Sequence, residues 1–425
     1  MNRDYATTLH DWLWSVWTVI AAFGAYFCMY GVRKPYTAAS FEDAAVLGVS
    51  FKVLLLMSQV GGYMVSKFLG IKIVSELAPR YRAAGILAMV AFAEAALFGF
   101  ALTPRPWNAA FLFLNGLPLG MVFGLVLGFL EGRRATEALT AGLCASFILA
   151  DGVTKSVAFF LLERGISEDW MPAVAGLIFL GPLIVFVGML AIVPPPDKRD
   201  IAARSERSPM SAADRRQLFR KFAFGLSAVT ALYLLITILR SIRADFASEL
   251  WTSMGVRLAP STFTTSELYV ALGVLVVNGA LVLVHDNRRA FFASLAVCGI
   301  GVAIFAAAAF GKQFQAISPY AFMVLVGLGL YFPYVAVHCT VFERFMAMTR
   351  DKGTIGFLMY VADSIGYLGY VIVMLWHNLR PKSGGSNVSD FADFFLGVCF
   401  VAAALSSLCI ASAWRYFAVR CPGDG

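Results

Sequence analysis

Apolar runs of about 20 residues recur along the whole chain. In hydrocarbon a backbone must satisfy its own hydrogen bonds, so a crossing segment is either a helix or a strand of a closed barrel. Barrel strands are about 10 residues long and alternate in polarity. An unbroken run of about 20 is one helical crossing. The composition agrees: 60% of the 425 residues are hydrophobic and 14% are charged, against about 25% charged in soluble domains. A soluble enzyme, a disordered chain and a secreted disulfide scaffold are thereby excluded. The N-terminal run, Trp12 to Val32, is too long for a cleavable leader and reads as the first crossing. The seven cysteines lie mostly inside apolar runs and show no CxxC spacing. They read as buried free thiols, so no metal site is expected.

Twelve segments emerge: 12–36, 50–74, 82–102, 107–130, 138–162, 171–194, 222–247, 265–285, 289–311, 318–342, 354–377 and 391–417. One composition break follows the sixth, from Pro194 to Lys221. It opens with three prolines and carries eight Lys/Arg against four acids, a net +4 within a whole-chain charge of +8. Cation-rich loops face the cytoplasm, so this excess orients the chain and calls for no nucleic-acid partner. Arg80/Arg82, Arg133/Arg134, Arg288/Arg289 and Arg344/Arg350/Lys352 all follow even-numbered segments. Both termini are then cytoplasmic. The expected organisation is an all-α membrane protein: a six-helix bundle over 1–194, a basic linker over 195–221 and a second six-helix bundle over 222–425. Repeated halves are common in transporters, with the substrate site at the repeat interface.

Two traces support the repeat. Ser75-Glu76 through Arg80 and Arg82 after segment 2, and Asp286 through Arg289 after segment 8, each set an acid before two cations in a short turn. Ordinary inside-positive charge or a helix-to-helix latch explains them. In segment 4, Gly116, Gly120, Gly124 and Gly128 share one face, where a neighbouring backbone is expected to pack closely.

Ionisable residues within a crossing cost roughly 2.5–3.5 kcal/mol each on insertion scales and mark function by default. Arg33 lies near the outer end of segment 1, or mid-span if the helix continues to Ala39, on the face of Tyr26 and Tyr30. It lies at an outward end, where cations are scarce. Arg240 sits in segment 7, the repeat equivalent of segment 1. Two guanidiniums facing one cavity call for an anion between them, and their planar forks match phosphate or carboxylate. Lys67 supplies a third cation. Asp151 and Lys155 stand at i, i+4 and neutralise each other most simply as a pair. Arg243 has Asp245 and Glu249 as nearby acids. Asp363 shares a face of segment 11 with Tyr360 and Tyr367, and either pairs with Arg240 or Lys155 or titrates. Glu94 stands alone among alanines. His338 has no second ligand nearby and reads as a packing or cavity histidine. No Walker A, HExxH or GxSxG motif occurs, so neither ATP-driven transport within this chain nor an enzyme is expected.

Specific strings add a resemblance. The twelve segments in two halves resemble the major facilitator superfamily. Within it, Tyr30-Gly31-Val32-Arg33-Lys34 with Tyr26 is similar to the first-span Tyr-x-x-Arg-Lys of the organophosphate:phosphate antiporters. Ser66-Lys67-Phe68, Leu239-Arg240 with Asp245-Phe246, Tyr331-Phe332-Pro333 with Glu343, and Gly366-Tyr367-Leu368-Gly369 resemble further motifs of that family. The resemblance implies that Arg33 and Arg240 clamp a phosphate while Lys67, Tyr26, Tyr30 and Tyr367 line the cavity. Departures are also present. Thr237 replaces a tyrosine one turn before Arg240, segment 5 lacks the family histidine, and Asp151, Lys155, Arg243 and Asp363 add charge.

The expectation is a monomeric carrier in a bacterial-type inner membrane. It would move an organophosphate or other small anion by alternating access, in exchange for inorganic phosphate, without a cofactor. Two rivals stand beside it: a proton-coupled symporter or efflux carrier using Asp363 or Glu94, and a membrane anion sensor that does not transport.

Overall fold

The computed structural model describes residues 2–41, 45–46, 48–130, 136–194, 212–281, 283–349, 355–379 and 389–421. Six long helices precede the linker: α1 (Asn2–Arg33), α2 (Phe51–Glu76), α3 (Arg82–Leu102), α4 (Ala109–Leu130), α5 (Thr136–Glu163) and α6 (Met171–Ala191). After it come α7 (Ala212–Asp245), a short α8 (Ala247–Ser253), α9 (Pro260–Leu281), α10 (Asn287–Gln313), α11 (Pro319–Ala336), α12 (Phe342–Thr349), α13 (Ile355–Leu379) and α14 (Ser389–Arg420). A π turn, Val337–Val341, joins α11 to α12, and the three form one crossing, Pro319–Thr349. Ten described segments of 21 to 31 residues are apolar and long enough to cross a membrane. Helices α2 and α13, with 26 and 25 residues, are the other two expected crossings.

Exposed apolar side chains line several of these helices. Ile184 and Val185 of α6, Leu272 and Val276 of α9, and Val401 and Leu408 of α14 are each more than half exposed. In water such faces mark interaction or aggregation sites. On crossing-length helices they meet lipid tails, and the chain is a multi-pass membrane protein.

Two compact units divide the chain, residues 1–204 with 259–264, and 205–258 with 265–425. The linker cations from Lys198 to Arg207 lie outside the described residues, as do Arg133, Arg134, Arg350 and Lys352.

In the first unit α2 packs against α4, α1 against α5 and α6, and α3 against α4. Glycine sets the α2–α4 spacing. A Cβ at Gly116 would stand 2.2 Å from the Gln59 carbonyl oxygen, one at Gly62 2.1 Å from the Phe113 carbonyl, and one at Gly120 2.6 Å from Ser66 Oγ. Gly128 serves a different neighbour, since its Cβ would meet the Arg82 guanidinium at 3.0 Å. The glycine face therefore contacts two helices in turn. Gly116→Ala should destabilise the protein by about 1–3 kcal/mol through overpacking, read as a lower melting temperature in detergent. Gly181→Ala is the control, because its added carbon meets nothing within 4 Å.

Arginines after even crossings cap other helices of their own unit. Arg82 Nη1 donates to the carbonyl of Gly128 at 2.6 Å, in the last turn of α4. Arg288 Nε donates to the carbonyl of Cys421 at 2.8 Å, just past α14. Terminal carbonyls lack intrahelical donors, and a cation there also meets the negative end of the helix dipole. Asp286 caps the start of α10, accepting from the Arg289 amide at 2.7 Å.

At the other end of the first unit three loops are fastened together. Arg105 donates to Asp169 (Nε to Oδ1, 3.0 Å) and to Glu168 (Nη2 to Oε2, 3.2 Å). Glu168 Oε1 also accepts from the Phe41 amide at 3.1 Å. Burial works to lower the Arg105 pKa, but the hydrogen bonds and charges of Asp169 and then Glu168 outweigh it and raise the pKa. The Arg105 guanidinium stays ionised.

Helix α1 stops at Arg33 for a local reason. Its last helical bond runs from the Lys34 amide to the Tyr30 carbonyl at 2.9 Å. Pro35 then has no N–H to continue the ladder. A single 3-10 turn follows over Pro35–Ala38. Arg33 thus sits at the helix terminus rather than within a helix running on to Ala39.

Candidate functional site

In the first unit the α1 face expected from the sequence is buried. Tyr26 and Tyr30 pack edge to face, with ring centroids 5.6 Å apart. Tyr26 meets Phe123 of α4 at 5.4 Å and Tyr30 stacks on Phe147 of α5 at 6.4 Å. The Arg33 guanidinium lies 4.0 Å from the ring centre of Tyr63 on α2 and 5.5 Å from that of Tyr30. Lys67 Nζ lies 5.0 Å from the same Tyr63 ring. Arg33 and Lys67 are 4% and 7% exposed. A cation over an aromatic face gains about 0.5–2 kcal/mol, more when desolvated. Two buried cations gathered on one ring also build a strong positive field, which is suited to an anion. Sequence reading missed Tyr63. Its signal was its place one helical turn before Lys67.

Asp151 and Lys155 form a buried ion pair on α5, so their i, i+4 spacing is used as expected. Glu94 is buried against α6, where a Cβ at Gly176 would overlap its Oε2 at 1.9 Å. Its carboxyl oxygens have no hydrogen-bond partner among the described residues.

The second unit buries a corresponding arginine. The Arg240 guanidinium of α7 lies 4.4 Å from the ring centre of Tyr334 on α11. Tyr334 stacks on Tyr233 (5.2 Å, 23°) and on His338 (5.6 Å, 14°). The Tyr233 hydroxyl donates to Asp363 Oδ1 at 2.5 Å and lies 3.3 Å from His338 Nδ1. Having given its proton to Asp363, the hydroxyl oxygen can accept one from Nδ1–H. His338 is thus stacked and hydrogen-bonded in the interior of its unit, and it occupies a π turn, a distortion found often at functional sites. Tyr233 and Tyr334 went unnoticed in the sequence, although Tyr233 lies two turns before Arg240 on one face and Tyr334 one turn before His338. Tyr367 is buried one turn after Asp363 on α13. The side chain of Tyr360 lies outside the described residues.

Beyond Asp245 and Glu249, the acids near it in sequence, Arg243 has a bidentate partner on another helix, Glu267 of α9, at 2.7 and 3.2 Å. Its Nε and Nη2 also donate to the Met323 carbonyl at 3.1 and 2.9 Å. Asp245 accepts from the Tyr370 hydroxyl at 3.0 Å. The fork suits this pair because the guanidinium satisfies two carboxylate oxygens in one plane. Of the two partners weighed for Asp363, Lys155 pairs with Asp151, and Asp363 itself accepts from the Tyr233 hydroxyl.

A helical membrane bundle whose interior carries arginine and tyrosine in each unit is the class defined so far. Solved structures of the same architecture are transport proteins of the major facilitator fold. A D-xylose–proton symporter superposes with a TM-score of 0.60 at 13% identity, covering 95% of this chain and 98% of its own. A nucleoside transporter gives 0.59 at 14% identity, with 93% and 99% covered. A bacterial homologue of the human lysosomal transporter Spinster, inward-facing and unoccupied, gives 0.62 at 11% identity, with 97% and 99% covered. At these identities the likeness establishes the fold. The chain belongs to the family described as a family of unknown function, DUF5690, whose model matches residues 35–420. No curated protein matches it significantly.

Proposed function

We propose that the protein is a secondary active transporter of a phosphorylated or otherwise anionic small molecule, exchanging it for inorganic phosphate by alternating access. One observation carries this reading: the first crossing of each unit buries an arginine against a tyrosine ring, and the first unit adds Lys67 to the same ring. Those cations are costly in a membrane interior unless an anion uses them. Binding the anion at Arg33 and Arg240 neutralises them and permits closure. An empty carrier would desolvate the bare charges to close, which favours exchange over net flux. Fold neighbours that carry a sugar and a nucleoside support small-molecule transport in general. The cation-rich linker supports an inner-membrane orientation with both termini cytoplasmic. The test is counterflow into proteoliposomes loaded with phosphate, against a panel of organophosphates, sugars and organic acids. Uptake of an organophosphate driven by internal phosphate is expected. Uptake confined to neutral sugars overturns the reading.

The Tyr233–Asp363–His338 chain favours a second reading, coupling to a proton, because three hydrogen-bonded titratable groups can share one. Asp363→Asn separates the two. Under phosphate exchange the mutant keeps an acceptor for Tyr233 and should retain exchange within about 10-fold, or about 1.4 kcal/mol. Loss of accumulation driven by a pH gradient, with exchange intact, favours the proton.

A further inference from the structure

The end of α1 leaves carbonyls in need of donors. Pro35 removes the partner of Gly31, and the 3-10 turn diverts the Thr37 amide to the Lys34 carbonyl at 3.1 Å. The Gly31 and Arg33 carbonyls thereby lose their helical donors within a buried bundle, with the Val32 carbonyl between them. In such a setting side chains must replace them.

Two neutral amides donate at this end. Gln59 Nε2 of α2 donates to the Arg33 carbonyl at 2.7 Å and to Asn115 Oδ1 at 2.8 Å. Asn115 Nδ2 of α4 donates to the Val32 carbonyl at 3.1 Å and to the Ala93 carbonyl of α3 at 3.0 Å. Gln59 Oε1 accepts from the Tyr36 hydroxyl at 3.1 Å. All four amide hydrogens are used, and flipping either amide would set oxygen against oxygen. Gln59 and Asn115 are 2% and 0% exposed. Gln59, Tyr63 and Lys67 follow one another at four-residue steps, so one face of α2 holds the Arg33 backbone, its guanidinium and the second cation.

We propose that Gln59 and Asn115 are positioning residues, which hold the Arg33 and Val32 carbonyls at the end of α1 and so fix where the Arg33 guanidinium points. They touch no substrate. A helix end otherwise frays, and a displacement of about 1 Å at a binding group can cost up to 100-fold. The role in affinity rests on the anion-carrier reading, whereas the placement of the guanidinium does not.

The test uses full-length protein in detergent, labelled with nitrogen-15 arginine. The Arg33 Nε–H signal is assigned by its absence in Arg33→Lys, and inorganic phosphate is the ligand. Gln59→Met keeps the volume and removes both donors. It should move the Arg33 signal, leave the Arg105 signal in place and weaken phosphate binding by about 10-fold. In an Arg33→Lys background the same substitution should weaken binding by less than about 2-fold, because it acts through Arg33. An Arg33 signal at its wild-type position in Gln59→Met overturns the proposal, as does an undiminished 10-fold loss in the lysine background. If Gln59→Met also disturbs Arg105, Tyr36→Phe replaces it. That variant removes one hydroxyl and should move the Arg33 signal in the same direction by less, and no movement overturns the proposal. Phosphate leaving the wild-type Arg33 signal unmoved counts against the anion reading alone, since the Gln59 shift still decides positioning.

Discussion

Arg33→Lys and Arg240→Lys are each expected to weaken phosphate binding by about 10- to 100-fold or more while leaving insertion intact. Lysine keeps the charge within the crossing, so the insertion cost is similar. What it loses is the planar fork that makes two parallel bonds to one phosphate. Charged hydrogen bonds contribute roughly 1.5–3 kcal/mol each, and about 1.4 kcal/mol is tenfold in affinity. Each substitution also gives up a flat contact on tyrosine, Tyr63 for Arg33 and Tyr334 for Arg240. If both arginines hold one anion, the double mutant should lose less than the product of the two single effects. Calorimetric titration with phosphate checks this. Wild-type affinity in either lysine mutant would mean that this arginine is structural.

The second large effect is on stability. Glu267→Leu should cost about 3–5 kcal/mol, because it takes the bidentate carboxylate away from a guanidinium held in the interior. Arg243→Met together with Glu267→Leu should recover most of that loss, since an apolar pair of similar volume replaces a buried ion pair at little cost. Yield of monodisperse protein and melting in detergent read both. A single mutant as stable as wild type would mean that water or another acid reaches Arg243.

The crossings were legible because lipid imposes a length on every one of them, and residue type alone reveals that length. Arg33, Arg240, Lys67 and Asp363 were legible for the same reason, as charges where hydrocarbon penalises charge. Asp151 and Lys155 could be paired because the pairing is local to one helix. Glu267 was not found as the partner of Arg243, since the two lie on different helices and no spacing rule joins them. Gln59 and Asn115 carry no charge and raise no alarm in an apolar run. Pro35 was the only hint that they were needed, and it says that the helix ends without saying who holds the end. Tyr63, Tyr233 and Tyr334 read as ordinary aromatic filler, because only the folded chain sets cations over the Tyr63 and Tyr334 rings and stacks Tyr233 on the latter.

The π turn at Val337–Val341 has a consequence for numbering by face. One turn of wider spacing acts as a single-residue insertion, and one residue is about 100° of rotation in a helix of 3.6 residues per turn. A periodicity traced through α11 therefore slips phase before α12. Phe345, buried on α12, belongs to a stripe that cannot be extrapolated from Tyr331 and Tyr334. Related chains that differ by one residue in this stretch can keep both flanking faces unchanged, and aligning them without a gap here would assign the wrong side chains to the interior.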